Sequence, residues 1–344
     1  MPRLQLVKPK PAAVVVSAAA PAAEQLWLFG GADGGSVDLA GLRKERAAMA
    51  EGHRARNTEL AYKCDWKDFA GWCGRAGVCP LPCASETLQL YLIDLARRGR
   101  SYSTAARRAA AVAAQHAAGG HRSPLDVDVR EVLAGLGRRL GTAPKHAKLA
   151  LTPEDLARLV SACPDGPRGR RDRALLLVGF ASSLRRSELA ALQLADVDQV
   201  GPGLVIRLPR SKTDQAGAGR EIGVHRGQRD LTCPARALAA WLVDRGAWPG
   251  PLFAFVDFHG SVVHRPMTHR SIAIAIKDAC ARVGLDPARY AGHSLRAGCA
   301  TAASANRADT LAIMARTGHK SVEMVGRYVR HANLFTVDPL AGVL

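Results

Sequence analysis

The sequence predicts two folded parts, a mainly α N-terminal helical domain followed by a mixed α+β domain that is mostly helical with a small β-hairpin or sheet. Three observations carry this reading. Between Asn57 and Leu140, apolar residues recur at helical spacing in four separate stretches, the pattern of amphipathic helices. The run Gly141 to Ala150, GTAPKHAKLA, keeps no apolar period and has no strand character. Beyond it, LVIRLP and REIGVH stand as two β-type segments among helical ones.

The four N-terminal helices are justified one by one. In the first, Thr58 is a capping residue, and Leu60, Ala61, Cys64, Trp66, Phe69, Ala70 and Cys73 follow at helical intervals until Gly74, Gly77 and Pro80. Ser85 and Glu86 open the second, which carries Leu88, Leu90, Tyr91, Ile93 and Leu95 and stops at Gly99. The third starts near Ser101 or Ser103 and runs to Ala118 with Arg107 and Arg108 outward. The fourth spans Val127 to Leu140, interrupted by Gly135 and Gly137. Residues 1–48 are Pro, Ala and Gly rich and read as a flexible arm. Its EQLWLF segment is either a docking element or a local apolar patch. The expected division is 1–48 arm, 49–140 helical domain, 141–150 linker and 151–344 second domain with a C-terminal tail.

The second domain opens on Thr152-Pro153-Glu154-Asp155, a capping box with Pro at the first helical position. A helix to about Ala162 and another from Gly169 to Phe180 follow. Ser183 or Ser187 is a cap for a helix to Leu192. The two β segments flank a Gly-rich run and form a hairpin with Lys212 at a mobile tip. Pro234 to Gly246 and His269 to Gly284 are amphipathic helices, with an extended piece at Phe253 to Phe258. Gly292-His293-Ser294 begins a further helix, which aims backbone N–H groups outward.

Composition narrows the function. The 344 residues are 48% apolar and carry a net charge of +18, enough for two cores and suited to a polyanionic partner. Nucleic acid is the first expectation and membrane is not, since the longest apolar runs fall short of the ~20 residues that cross a bilayer. AAVVVSAAA after Arg3, Lys8 and Lys10 mimics a signal peptide only superficially, so a cytoplasmic protein is expected. The eight Cys form no C-x-x-C pair and read as reduced thiols. Cys73, Cys79 and Cys83 are close enough in sequence to suggest a metal, but small hydrophobes around a turn is the favoured reading.

Chemistry concentrates between His293 and Tyr328. HSLRAGCAT carries His293 and Arg296, and TGHKSVEMVGRY carries His319 and, nine positions on, Tyr328. Attack on a phosphodiester by a side-chain hydroxyl needs a nucleophile, cations for the non-bridging oxygens and an acid for the leaving oxygen. Tyr328 is the candidate nucleophile. Arg185 and Arg296 are the clamps, because a guanidinium bridges two phosphate oxygens. Lys212 is the acid, His293 a proton shuttle, His319 a hydrogen-bonding partner of a non-bridging oxygen, and Glu188 an orienting carboxylate. For DNA contact the candidates are Arg107, Arg108, Arg186, Lys145 and Lys148, with a solvated basic face as the equal alternative.

These segments resemble the tyrosine recombinases, the phage-integrase type of site-specific recombinase. SLRRSELAAL is similar to that family's first catalytic Arg segment, RSKTDQAG to its Lys hairpin, HSLRAGCAT to its His-x-x-Arg box and TGHKSVEMVGRY to its Gly-His and nucleophile segment. NTELAYKCDWKDFAGWC resembles part of its N-terminal core-binding, SAM-like domain, so that the match runs over roughly residues 50 to 335. Ser183 departs from a usual Gly, and Met324-Val325 from a frequent Thr-Thr.

The resemblance implies a helical DNA-binding domain and a tyrosine-recombinase catalytic domain. Tyr328 would form a 3′-phosphotyrosyl link and free a 5′ hydroxyl, with no ATP, metal or other cofactor. Its partners would be double-stranded DNA target sites, three further copies in a tetramer on paired DNA passing through a Holliday junction, and an accessory directionality protein. Leu334, Phe335, Val337 and Leu340 of the tail would pack on the adjacent subunit. The rival readings are a type IB topoisomerase and a catalytically silent DNA-binding regulatory protein.

Overall fold

The structure, a computed structural model, describes residues 38–50, 56–143, 148–209 and 219–332. The chain divides into two compact units, with the break between Ala143 and Pro144. The EQLWLF segment, Lys145, the hairpin tip with Lys212 and the tail residues Leu334, Phe335, Val337 and Leu340 lie outside the described residues. Among the described residues no helix is long and apolar enough to cross a membrane.

The first unit is all helical. Helix α1, Leu39–Ala50, falls largely within the stretch expected as arm. Its sequence LAGLRKERAAMA is made mostly of strong helix formers, and Asp38 Oδ1 accepts from Gly41 N–H at 2.8 Å to cap it. Helix α2, Arg56–Ala76, begins before Thr58, so that residue sits inside the helix rather than capping it. Helices α3, Ser85–Arg97, α4, Tyr102–Ala118, and α5, Val127–Leu140, complete the unit. Ser101 and Asp126 cap the last two by accepting from Thr104 and Val129 N–H. Helix α5 runs unbroken through Gly135 and Gly137.

Phe69, Cys73, Leu88, Tyr91, Leu92, Leu95, Val112 and Val129 bury the shared core. Against it lies a polar network that the sequence reading placed outside. Arg108, expected as exposed, is only 12% accessible. Its Nη1 donates to Tyr91 Oη at 2.8 Å and pairs with Asp68, while Nε lies 3.5 Å from Asp65 Oδ1. The cause is the Asp65 and Asp68 pair on α2, whose carboxylates draw the guanidinium inward. Burial raises the Asp65 carboxyl above its usual range, offset by Arg107 and Arg108. Cys73 is buried and Cys79 exposed.

The second unit begins before residue 151. Lys148 Nζ donates to Ala288 O at 2.6 Å, and Leu149 and Leu151 N–H to Arg289 and Ser294 O. Helix α6, Pro153–Ser161, starts at Thr152, whose hydroxyl accepts from Asp155 N–H at 3.0 Å. Helix α7, Pro167–Ser182, is the buried centre, with Leu175, Leu176, Leu177 and Val178 all inside. Helix α8, Arg186–Ala191, is capped by neither Ser183 nor Ser187. Glu188, three residues into it, accepts from Arg185 N–H instead, at 2.8 Å.

Strands β1, Val197–Val200, β2, Gly203–Leu208, and β3, Arg220–His225, form an antiparallel sheet in that order. The expected hairpin is β2–β3, in register from Gly203 opposite His225 to Leu208 opposite Arg220. Leu204, Ile206 and Leu208 face Ile222 and Val224 on the buried side, the alternation a half-buried sheet requires. Strand β1 was not foreseen, because its residues are mostly exposed and VDQV carries little apolar signal.

Helix α9, Pro234–Arg245, is followed by a second antiparallel pair, β4, Ala254–Val256, and β5, Val262–Pro266. Helices α10, His269–Arg282, α11, Gly292–Ala305, α12, Thr310–Thr317, and α13, Val322–Ala332, close the unit. The fit of α11 depends on Gly298. A Cβ there would lie 2.1 Å from Leu151 O and 2.7 Å from a Phe180 ring carbon, so only Gly allows α11 to sit against α7 and the chain entering the unit.

Candidate active site

The site assembles where the C-terminal end of α7, the start of α8, the start of β3, and helices α11 to α13 meet. At the end of α7, Ser183 takes the left-handed conformation with φ 56°, which explains why Gly suits this position. The turn presents Ser183 O to Arg296, whose Nη1 donates to it at 2.8 Å from α11. Arg296 is buried, and its Nη2 has no hydrogen-bond partner among the described residues. Burial, followed by the neighbouring Arg185, lowers its guanidinium to about 10, against an opposing pull from Glu188 and Tyr328.

Arg185 leads directly into α8. Its Nη1 donates to Glu188 Oε1 at 2.6 Å, and Glu188 is only 7% exposed. One carboxylate thus takes both a backbone and a guanidinium donor from the same residue. It also offsets the charges on Arg296 and on Arg220 of β3. Such a cluster has more cation than anion, the condition for holding an oxyanion.

Tyr328 rises from α13 as a half-buried side chain against the small core of Ala300, Ile313 and Val325. Its Oη lies 3.0 Å from His293 Nε2, so α11 supplies a ring nitrogen in hydrogen-bond reach of the phenol. Burial, then Arg296 and Arg185, lowers the His293 pKa below the ordinary 6.5, which leaves a neutral ring able to accept a proton. His319 stacks on Tyr328 at 5.8 Å between centroids and 22° between planes. Burial first, then Arg296, Arg185, His293 and Arg220, pushes His319 down to about 4.

Five of the six expected catalytic side chains, with Glu188, therefore converge on one region, and Lys212 lies outside the described residues. Of the expected DNA-contact residues, Arg186 belongs to the same unit as the site, and Lys145 lies outside the described residues. Arg186 is exposed beside the site and packs its Cβ under Gly292, where an added Cβ would come within 2.8 Å. Arg107 is 46% exposed and pairs with Asp65 at 3.1 Å, Arg108 is spent on internal pairing, and Lys148 holds Ala288 O.

Three residues escaped the sequence reading. Arg220 Nη1 donates to Ala315 O and Arg316 O, both at 3.2 Å, capping the C-terminus of α12. Its Nε and Nη2 are buried with no hydrogen-bond partner among the described residues. Arg316 Nη1 reaches Ala181 O at 3.0 Å and ties α12 to the end of α7. Thr317 Oγ1 lies 2.8 Å from His319 Nδ1. Gly318 makes this turn possible, with φ 65° and Arg220 Nη1 only 2.8 Å from where a Cβ would stand. The available signal was the β3 position of Arg220, opposite the last paired residue before the lysine-bearing tip.

Comparison with known proteins identifies the family. Residues 150–334 match the model of the phage integrase family. An integrase/recombinase XerD homolog of Selenomonas ruminantium is 36% identical over 295 residues, covering 84% of this chain and 86% of the relative. The Tn1549 transposon integrase in complex with transposon right end DNA superposes with TM-score 0.60 at 17% identity, over 84% of this chain and 96% of that one. A lambda integrase tetramer bound to a Holliday junction superposes with TM-score 0.54 at 15% identity, over 84% and 76%. Fold and sequence together define a DNA strand transferase of the site-specific recombinase class. The chain belongs to the phage integrase family, the tyrosine recombinases.

Proposed function

We propose that this recombinase cleaves and rejoins double-stranded DNA at specific target sites through a 3′-phosphotyrosyl intermediate on Tyr328. The observation that carries the reading is the 3.0 Å contact of Tyr328 Oη with His293 Nε2, beside the Arg185, Arg296 and His319 cluster. In the forward step the Tyr328 oxygen bonds to phosphorus while its proton passes to His293. The bond from phosphorus to the 5′ oxygen breaks, and Lys212 protonates that oxygen. Arg185 and Arg296 hold the non-bridging oxygens as charge grows on them, and His319 hydrogen-bonds one of these. A 5′ hydroxyl from another strand then attacks phosphorus and releases Tyr328, so the ester's own energy drives rejoining.

Residues 49–140, within the first unit, are the core-binding module, and 151–344, within the second, are the catalytic domain. Four copies act on paired DNA through a Holliday junction, the kind of DNA to which the lambda integrase tetramer is bound. The enzyme works in the cytoplasm, with an accessory protein setting direction. The comparisons lend no support to a topoisomerase or to a silent DNA-binding protein.

The test uses a nicked suicide duplex carrying a site selected by binding from a random-sequence pool. Wild-type chain is expected to give a DNA-linked band on a denaturing gel, and Tyr328→Phe to bind the same duplex without one. A linked band from Tyr328→Phe equal to wild type would overturn the assignment.

A further inference from the structure

Thr317 is fully buried at the last position of α12. Its hydroxyl lies 2.7 Å from Ile313 O, 3.4 Å from Met314 O and 2.8 Å from His319 Nδ1. A threonine hydroxyl has a single proton to give. A carbonyl can only accept, and two oxygens at 2.7 Å without a proton between them repel. The hydroxyl proton therefore points back to Ile313 O, the usual back-bond of a helical Thr. Nδ1 of His319 can then meet Oγ1 only as a donor, and a neutral imidazole that carries its proton on Nδ1 has a bare Nε2.

We propose that Thr317 is a positioning residue that holds neutral His319 as the Nδ1–H tautomer, so that Nε2 donates to a phosphate oxygen only after the ring takes up a second proton. This rests on the placement of His319 beside the phosphate and adds a condition to it, namely that engagement of phosphate is coupled to proton uptake. The surroundings keep the ring neutral until an anion arrives. Facing it are Arg296 and His293 from α11, Arg185 ahead of α8, Arg220 from β3 and the Tyr328 ring from α13. Arg316 and Lys320 flank it in its own segment, and Glu188 is engaged with Arg185. An arriving phosphodiester places a negative charge beside the ring and weakens this field, which favours the imidazolium with both nitrogens donating.

The experiment reads the tautomer in the free full-length chain by imidazole nitrogen NMR with labelled histidine, the His319 signals assigned by comparison with His319→Gln. At about pH 7.5, above the ordinary pKa of a histidine, the wild type is expected to show a protonated Nδ1 and an unprotonated Nε2. Thr317→Val, of the same shape, removes the acceptor and is expected to move His319 to the Nε2–H tautomer. Thr317→Ser restores the hydroxyl and is expected to restore the wild-type pattern. On a cleavable duplex, the cleavage rate of wild type is expected to rise as pH falls toward about 6, and Thr317→Val is expected to lose that rise. A wild-type ring protonated on Nε2, or a Thr317→Val chain with unchanged tautomer, would overturn the proposal. Because the tautomer is measured without DNA, either result would leave the assignment of Tyr328 standing, and absence of Tyr328 cleavage would leave the tautomer result intact.

Discussion

Replacing Glu188 by Gln preserves the shape of the side chain but removes the charge that offsets Arg185, Arg296 and Arg220. In the native site its two oxygens accept from Arg185 N–H at 2.8 Å and Arg185 Nη1 at 2.6 Å. A Gln amide can accept through one atom only and turns N–H groups toward the other donor. Each charge-assisted bond contributes ~1.5–3 kcal/mol, and a retained neutral bond about 1 kcal/mol. With the guanidiniums left uncompensated, Glu188→Gln is expected to destabilise the second unit by ~3 kcal/mol. Hydrogen exchange read by mass spectrometry suits a chain of two units, because each peptide reports its own. Amides of α11 are expected to exchange ~100-fold faster, the ratio that ~3 kcal/mol implies, while those of α3 in the first unit stay unchanged. Addition of sulfate, which supplies negative charge to the same cations, should recover part of the loss. Unchanged α11 exchange, or equal acceleration in α3, would refute the reasoning.

Other perturbations separate packing from charge. Arg108→Ala leaves the Asp68–Tyr91 pair without its cation and buried Asp65 with Arg107 alone and is expected to cost ~3 kcal/mol in first-unit stability, whereas Arg107→Ala, at 46% exposure, costs less than ~1 kcal/mol; α3 hydrogen exchange measures both. Gly298→Ala drives a methyl into Leu151 O at 2.1 Å, and a backbone carbonyl cannot swing away, so a loss of ~3 kcal/mol is expected in α11 exchange. His319 stays neutral in the folded chain down to about 4, while the unfolded chain protonates it near 6.5. Stability of the DNA-free protein therefore falls as pH drops from 6.5 toward 4, and His319→Gln should show a shallower decline of Tm over that window.

Much of the fold could be read from the chain because its helices announce their own limits. Thr152-Pro153 and Gly292-His293 mark helix starts, and the alternation in LVIRLP and REIGVH marks the β2–β3 pair. What could not be read rests on distant partners. Strand β1 is mostly exposed and takes its hydrogen bonds from β2. The α1 cap depends on one side chain, Asp38, in an otherwise Pro- and Gly-rich context. Arg108 looked like a surface cation beside Arg107, because helical spacing cannot reveal that Asp65 and Asp68 of another helix face it.

The same holds in the site. Motif spacing carried His293, Arg296, His319 and Tyr328, residues close in sequence on α11 to α13. The 3.0 Å pairing of Tyr328 with His293 spans 35 positions and needed the folded chain. Arg220 and Thr317 belong to no recognisable motif. Their importance arises from a helix C-terminus and a turn at Gly318 that bring them against His319.

The central claim is that Tyr328 carries the DNA strand. Trapped covalent complex from a suicide duplex should be digested with nuclease and protease, and the peptide that retains nucleotide sequenced by mass spectrometry. The account predicts one modified peptide, with the nucleotide joined through its 3′ phosphate to Tyr328. A nucleotide joined to another residue, or joined through a 5′ phosphate, would contradict it.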